Sequence, residues 1–469
     1  MDPVKESFEE VCRLAQKEGA GVELLIHESE NLKISYQKKK LDKYEMTTSR
    51  QGGFRVLWGG GQGYASTENF SPQALLHSYQ EALSNAKALV LGAGESSGAD
   101  PSGVGPVSRG ESPAASPESL LAQPAEYRNL DHLQSDEQPS LEAQRQVAEW
   151  LESKTLEVDP RLTHVPYTAY VESRWKRRLL NSNGVDAQSS LRSFFGYAHA
   201  LAKQDDQTKS DGDSFFSRDF SKIQVEPVCQ SAAQRALSRL GARPLPTGTY
   251  PVLIDREEVP SFISMLLSHL SAQEVLDEKS LLKGKVGQKV AASILNLLDD
   301  PFDERGSGLR SFDSEGTPSR PLTLIQEGVL QSYFTNLETA QRLGVANTGH
   351  ALRSPSSQMS IGPSNIVVQS GEESFADLVG GKGKVVHLST LNGGLHAGYK
   401  ASTGDFSLPA EGFLYEGGKN LGPVDQFVVS GNILDLLMKI EKIGRDYNSP
   451  GNSILSPDWL ISELSFAGG

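Results

Sequence analysis

Apolar residues at Val4, Phe8, Val11, Cys12 and Ala15 recur at helical spacing, and Gly19 closes the pattern, so a helix is predicted over residues 4 to 18. Strand-like runs follow at Val22 to His27, Leu32 to Tyr36, Lys43 to Thr48, Phe54 to Trp58 and Gly63 to Ser66. Gly52-Gly53 and Gly59-Gly60-Gly61 read as the turns of an antiparallel meander. Ser71-Pro72 then opens a helix with Leu75, Tyr79, Ala82, Leu83 and Ala86 on its buried stripe. Helix, meander and helix make two packed layers.

From Gly92 to Pro139 the pattern fades. Gly, Ser, Pro and acidic residues dominate, and such sequence buries too little surface to offset its ordering entropy. It reads as a linker or surface insert. Gly94-Glu95-Ser96-Ser97-Gly98 matches G-x-S-x-G in letters, but neither the strand before it nor the helix after it is evident. Periodicity returns as a helix over 140 to 156, a strand-rich block from Thr163 to Val225 with a turn at Asn181 to Gly184, and a helix over 226 to 240. Tyr250 to Ile254 reads as a strand leading into a helix from Glu258 to Leu270, and Ile433 to Ile443 as another helix.

Between Leu391 and Asn432, Gly-containing breaks separate Phe406 to Leu408, Phe413 to Tyr415 and Phe427 to Val429, which predicts short strands joined by turns. Gly417-Gly418 suits a hairpin tip. The cluster Thr403-Gly404-Asp405-Phe406-Ser407 fits either an Asx-type turn entering a core strand or the lining of a cleft. The readings divide the chain into a meander unit (1–91), a linker or insert (92–139), a second strand-rich segment (140–242) and a C-terminal β-rich domain (243–469). The fold class expected is α+β, two strand-rich domains with packed helices and largely antiparallel sheets.

Composition narrows the function. The 469 residues are 37% hydrophobic and 22% charged, with 45 Gly and 24 Pro. These values suit a globular protein of two or three domains with many turns. No apolar run is long enough to span a bilayer, and MDPVKESFEE lacks the apolar core of a secretory signal. Cys12 and Cys229 are too few and too far apart for a disulfide framework. A cytoplasmic protein is expected. The net charge of −14, from 45 basic and 59 acidic residues, works against binding a phosphate backbone. The basic runs Lys38-Lys39-Lys40 and Arg174 to Arg178 sit among strand-like residues and read as solvated strand faces.

Several motifs occur in a telling order. Thr403-Gly404-Asp405-Phe406-Ser407, Gly412-Phe413, Pro423-Val424, Gly431-Asn432 and Gly444-Arg445-Asp446 together resemble the C-terminal signature of the TldD/PmbA family. Phe312-Asp313-Ser314-Glu315-Gly316-Thr317-Pro318, followed by Gly328 and Leu330, is similar to that family's DxEGTP segment. The match in order runs from about Gly21 to Gly469. The resemblance implies a role in proteolysis or peptide processing, and names such proteins modulators of DNA gyrase.

Metal-bearing members of that family carry H-E-x-x-x-H on the helix after the strand resembled here by Val252 to Asp255, and a cysteine near the C-terminus. With Leu266-Leu267 setting the register, Ser268 and Gln273 stand where the motif's histidines would be, and His269 where its Glu would be. Neither Ser nor Gln is a usual zinc ligand, and both cysteines lie before position 230. His27-Glu28 has no second His following. His269, His387 and His396 are the remaining polar candidates for a metal set, and His350 also follows a Gly; none has supporting spacing.

The resemblance therefore points to the PmbA (TldE) branch. It implies a chain without its own metal site or catalytic residue, working with a TldD-like subunit that carries zinc and acts on peptides or unfolded protein. A homo- or hetero-oligomer with no membrane or direct nucleic-acid contact is expected. The alternatives are a stand-alone metal-dependent peptidase using an unrecognised ligand set, and a non-catalytic binding or scaffold protein.

Overall fold

The computed structural model describes residues 2–95, 116–135, 137–394 and 398–468. The N-terminal half is built on one sheet of six strands: β1 (Gly21–Gln37), β2 (Lys40–Trp58), β3 (Gly61–Thr67), β4 (Leu162–Asn181), β5 (Asp186–Gln204) and β6 (Gln207–Ser217). Their order is β3-β2-β1-β4-β5-β6, antiparallel throughout. Helices α1 (Pro3–Lys17), α2 (Pro72–Glu95), α3 (Leu141–Glu157) and α4 (Val225–Ser238) complete this half. Val4, Phe8 and Leu75 of α1 and α2 pack on Val22, Leu24 and Ile26, the alternate residues of β1. Leu25, from the opposite face of β1, packs against Phe312 of the C-terminal half. Further along the sheet, Val147 and Leu151 of α3 and Cys229 and Ala232 of α4 cover Ile34, Tyr170 and Phe194.

The C-terminal half closes five strands into a barrel. Asp405–Glu416 pairs with Lys384–Leu391 on one side and with Lys419–Asn432 on the other. Lys384–Leu391 continues in parallel to Gly248–Ile254, which pairs antiparallel with Pro457–Ala467. Pro457–Ala467 returns to Lys419–Asn432 and completes the ring. Closure removes the unpaired edges that an open sheet would expose. Phe406, Leu408, Phe427, Val429, Ile461 and Phe466 belong to its core. Helix α5 (Val259–Leu267) joins that core through Phe262, whose ring meets Phe406 edge-on at 5.4 Å. The fold is α+β, with largely antiparallel sheets and helices packed on them.

Several local expectations change. The segments 1–91 and 140–242 contribute three strands each to one sheet, so the division between them falls between the hydrogen-bonded strands β1 and β4. The five short runs of the meander merge into three strands. Gly52-Gly53 lies inside β2 and makes no turn: a Cβ on Gly53 would sit 2.0 Å from the carbonyl oxygen of Pro355, so glycine is needed for close backbone approach. The runs Phe406 to Leu408 and Phe413 to Tyr415 are likewise one strand, while Gly417-Gly418 is the hairpin tip, with φ of 55° and 81°. The helix at Ile433 stops at Met438, and Ile440–Tyr447 is a strand paired with Pro457–Ala467. The segment expected as a linker buries Leu121, Ala122 and Leu130 where it is described. Ser96 to Gly98 of the G-x-S-x-G match lie outside the described residues.

Candidate functional site

The strand Gly248–Ile254 leads through Asp255 to Glu258 into α5, whose buried Phe262, Ile263, Met265 and Leu266 anchor it to the core. The α-helix ends at Leu267. Ser268 to Leu270 form a 3-10 turn, Ser271 is extended, and a new short helix spans Ala272–Leu276. Ser268 and Gln273 therefore stand on different elements, and their five-residue spacing is not carried round one helical turn. Gln273 donates to Asp277 Oδ1 at 2.9 Å.

His269 is buried. Tyr399 Oη donates to the Met265 carbonyl at 2.9 Å and lies 2.9 Å from His269 Nε2, which leaves Nε2–H as the donor to Tyr399. Nδ1 then accepts the long Leu281 N–H contact at 3.4 Å, and burial pushes the imidazole pKa down. A neutral ring with both nitrogens engaged suits a structural role. These residues do not fit zinc: one committed imidazole, a Ser and a Gln offer no tetrahedral N/S set. Among the described residues, no three His, Cys, Asp or Glu side chains stand close enough to share a metal ion.

His387, on the strand Lys384–Leu391, sits apart from that turn. Its Nε2 meets Asp255 Oδ2 at 2.9 Å, and Phe375, Phe413 and Tyr415 surround the ring at 5.0, 6.0 and 6.2 Å. Burial opposes the Asp255 charge, but the His387 hydrogen bond and charge, the Glu257 amide and the Arg235 charge together outweigh it, and the carboxyl pKa falls to about 2. Nearby, burial raises the Glu258 carboxyl to about 8. His350 bonds Asp299 at 3.1 Å through Nε2 and Thr348 at 2.9 Å through Nδ1. His396 lies outside the described residues.

The cluster around Asp405 closes a turn at the start of a barrel strand. Gly404 takes φ +79°, and Asp405 accepts Thr403 Oγ1 at 2.7 Å and Asn432 Nδ2 at 2.9 Å. The Thr403 and Asn432 hydrogen bonds hold the Asp405 pKa below the usual carboxylate range. Phe406 points into the core, while Ser430 donates to Ser407 at 3.1 Å on the outer wall. The motif thus ties two barrel strands together, with its polar members facing out.

The DxEGTP-like segment clamps the two halves. Asp313 Oδ1 accepts the amides of Glu315 and Thr317 at 3.0 and 2.9 Å, and its Oδ2 accepts that of Ala351 at 3.0 Å. This turn aims Glu315 at the N-terminal sheet, where it accepts Arg55 Nη1 at 2.9 Å and the Leu337 amide at 3.0 Å. Arg55 also donates to Glu23 at 3.0 Å, and Arg353 to Glu23 at 2.9 Å. All four charged side chains are buried. Burial weakens the Arg55 charge, but Glu23 and Glu315 more than compensate and hold it protonated. Burial raises the Glu315 pKa. The basic run on β4 is likewise engaged: Arg174 bonds Glu172, Arg178 bonds Asp186, and Arg177 bonds Ser314. Sequence reasoning missed Glu23 and Arg55, although a signal exists. Each is a lone charge among apolar strand residues, in Val22-Glu23-Leu24-Leu25 and Phe54-Arg55-Val56.

Three family models match the chain: PmbA/TldA metallopeptidase domain 1 over residues 22–86, the central domain over 134–240 and the C-terminal domain over 247–468. Metalloprotease PmbA of Escherichia coli O157:H7 is 25% identical over 475 aligned positions, covering 99% of this chain and 96% of that one. A metalloprotease TldD homolog of Haemophilus influenzae is 26% identical over 49% of this chain and 48% of its own. The crystal structure of a Thermotoga maritima protein described as a putative modulator of a DNA gyrase superposes with a TM-score of 0.85. It is 26% identical, covering 99% of this chain and 100% of that one. TldE from Thermococcus kodakarensis shares the fold, with a TM-score of 0.83 at 21% identity, covering 98% of this chain and 100% of its own. With the three domain models in order along its length and full-length likeness to PmbA, the chain belongs to the PmbA/TldD metallopeptidase family, as a PmbA/TldE-like member.

Proposed function

We propose that this chain is the PmbA/TldE-like subunit of a two-component metallopeptidase. A TldD-like partner supplies the zinc and cuts peptides or unfolded protein, and this chain completes the assembly without a metal of its own. The observation that supports this reading is the turn after α5, where His269 is spent on Tyr399 and Leu281 while Ser268 and Gln273 fall on separate elements. A cytoplasmic role without direct nucleic-acid contact accords with the net charge of −14 and with the free thiols of Cys12 and Cys229. The test is to purify the chain alone and together with a TldD-like protein, then measure zinc and hydrolysis of unstructured peptides. Zinc and hydrolysis are expected only with the partner. Stoichiometric zinc and hydrolysis in the lone chain would overturn the proposal.

A further inference from the structure

Strand β2 carries a free edge. Strand β3 pairs only with residues 52–58, so among the described residues 40–51 have β1 on one side and no strand on the other. Residues 40–50 are all exposed. Alternate residues of such an edge direct their N–H and C=O groups outward, as a template for another strand. The middle of the edge is also apolar. Tyr44 and Met46, 48% and 64% exposed, stand opposite Ile34 and Leu32 of β1 and extend the face of the sheet that α3 covers.

Charged residues often guard an edge against pairing. Here the charges instead fit a copy of the same strand. Two identical antiparallel strands meet about a two-fold axis, and residues facing each other point to the same side of the sheet. A residue can therefore oppose only itself or one an even number of positions away. Centring the axis on Met46 sets Asp42 opposite Arg50 of the second copy, twice over, and Tyr44 opposite Thr48. Met46 then meets its own counterpart, with both Tyr44 rings on the diagonals. No like charges face each other between residues 42 and 50. Centring the axis on Glu45 would oppose Glu45 to itself and Lys40 to Arg50. Within the chain, Arg50 reaches Glu28 through Nε at 2.8 Å, and both Arg50 and Asp42 stay exposed.

We infer that β2 pairs antiparallel with β2 of a second copy of this chain, joining the two six-stranded sheets across an axis at Met46. The seam satisfies the outward main-chain groups and covers Tyr44 and Met46. The basic turn at residues 38–40 lies beyond the paired segment. The occupant is a second copy because the strand's own sequence supplies the matching register. The inference concerns neither zinc nor hydrolysis and stands apart from the proposed peptidase role.

The experiment follows the mass of the full chain by sedimentation and light scattering over a range of concentrations. A reversible dimer is expected. Met46→Lys sets two ammonium groups together at the axis and should weaken the dimer by roughly tenfold or more. Asp42→Arg and Arg50→Asp should each weaken it, and the two together should restore it. Directly opposed residues lie about 4.5–5.5 Å apart at Cα, within reach of a disulfide. Met46→Cys should therefore cross-link two copies under mild oxidation and Thr47→Cys should not, with the unaltered chain and its two cysteines as background. Thermal melts establish that each variant folds. A monomer at every concentration, a dimer indifferent to Met46→Lys, or equal cross-linking of the two cysteine variants would overturn the inference. So would a monomer that captures a TldD-like protein and loses it on Met46→Lys, which would give the edge to that partner.

Discussion

Replacing Arg55 by Met removes the guanidinium that joins the N-terminal sheet to the Asp313–Thr317 turn while keeping most of its volume. Three hydrogen bonds from the guanidinium are lost, to Glu315 at 2.9 Å and to Glu23 and the Leu120 carbonyl at 3.0 Å each, in surroundings largely closed to water. Removing one partner of a buried ion pair costs about 3–5 kcal/mol. Glu23 keeps Arg353 and Glu315 keeps the Leu337 amide, which places the loss near the lower end, about 3 kcal/mol. The loss should also depend on pH. Burial already raises the Glu315 pKa, and without Arg55 it rises further. A carboxyl with a folded pKa above its unfolded value binds extra protons when folded, so the variant regains stability as pH falls from that folded pKa toward about 4.5. Urea unfolding followed by circular dichroism at pH 8 and pH 6 reads both effects. Lys43→Met is the control: its partner Glu45 lies 3.7 Å away, both are about half exposed, and the cost should stay under about 0.5 kcal/mol. A loss in Arg55→Met below about 1 kcal/mol at pH 8, or a loss that grows in acid, would refute the clamp.

Three further outcomes are expected. Gly53→Ala forces a methyl against the Pro355 carbonyl, 2.0 Å from the ideal Cβ, and should cost at least about 1–3 kcal/mol in a thermal melt; a neutral effect would deny the close approach. Tyr399→Phe strands His269 Nε2 and the Met265 carbonyl, and should cost about 1–3 kcal/mol without changing zinc content by elemental analysis; altered zinc would assign His269 a metal role. Asp255 has a folded pKa of about 2, below its ordinary value of 3.8, so its stabilisation is present above about pH 4 and lost as pH falls toward 2. Asp255→Asn should flatten the acid limb of the stability curve by on the order of 2 kcal/mol, and parallel curves for variant and wild type would count against the His387 pairing.

What could be read beforehand follows from the range of each signal. Helices α1, α2, α3 and α4 were legible because burying one face imposes a short period on the residues themselves. Strand existence was legible, but strand extent was not. Gly53 and the glycine between Leu408 and Phe413 look like turn residues, yet they answer to atoms distant in sequence, at Pro355 and His387. The placement of β1 beside β4, and of Gly248–Ile254 beside Pro457–Ala467 in the barrel, depends on pairing across more than a hundred residues, for which local pattern carries no information. The candidate histidines are visible in the sequence as residue types, but their partners decide their chemistry. Tyr399 lies 130 positions from His269, and Asp255 lies 132 from His387.

The same reasoning separates the two kinds of motif. The Asp313–Thr317 segment is polar, yet Asp313, Ser314 and Glu315 are fully buried, because their acceptors meet backbone amides and Arg55. Its residue types are thus demanded by an interface between halves of the chain, and any rearrangement of those halves must break that interface. The Thr403–Ser407 cluster, in contrast, spends Asp405 on Thr403 and Asn432 at an exposed turn, where a hydrogen bond contributes little net stability. A polar segment whose removal should unfold the protein therefore looks, as sequence, much like one whose removal should only loosen a turn. The difference lies in the lone charges Glu23 and Arg55, set among apolar strand residues more than two hundred and fifty positions before Glu315.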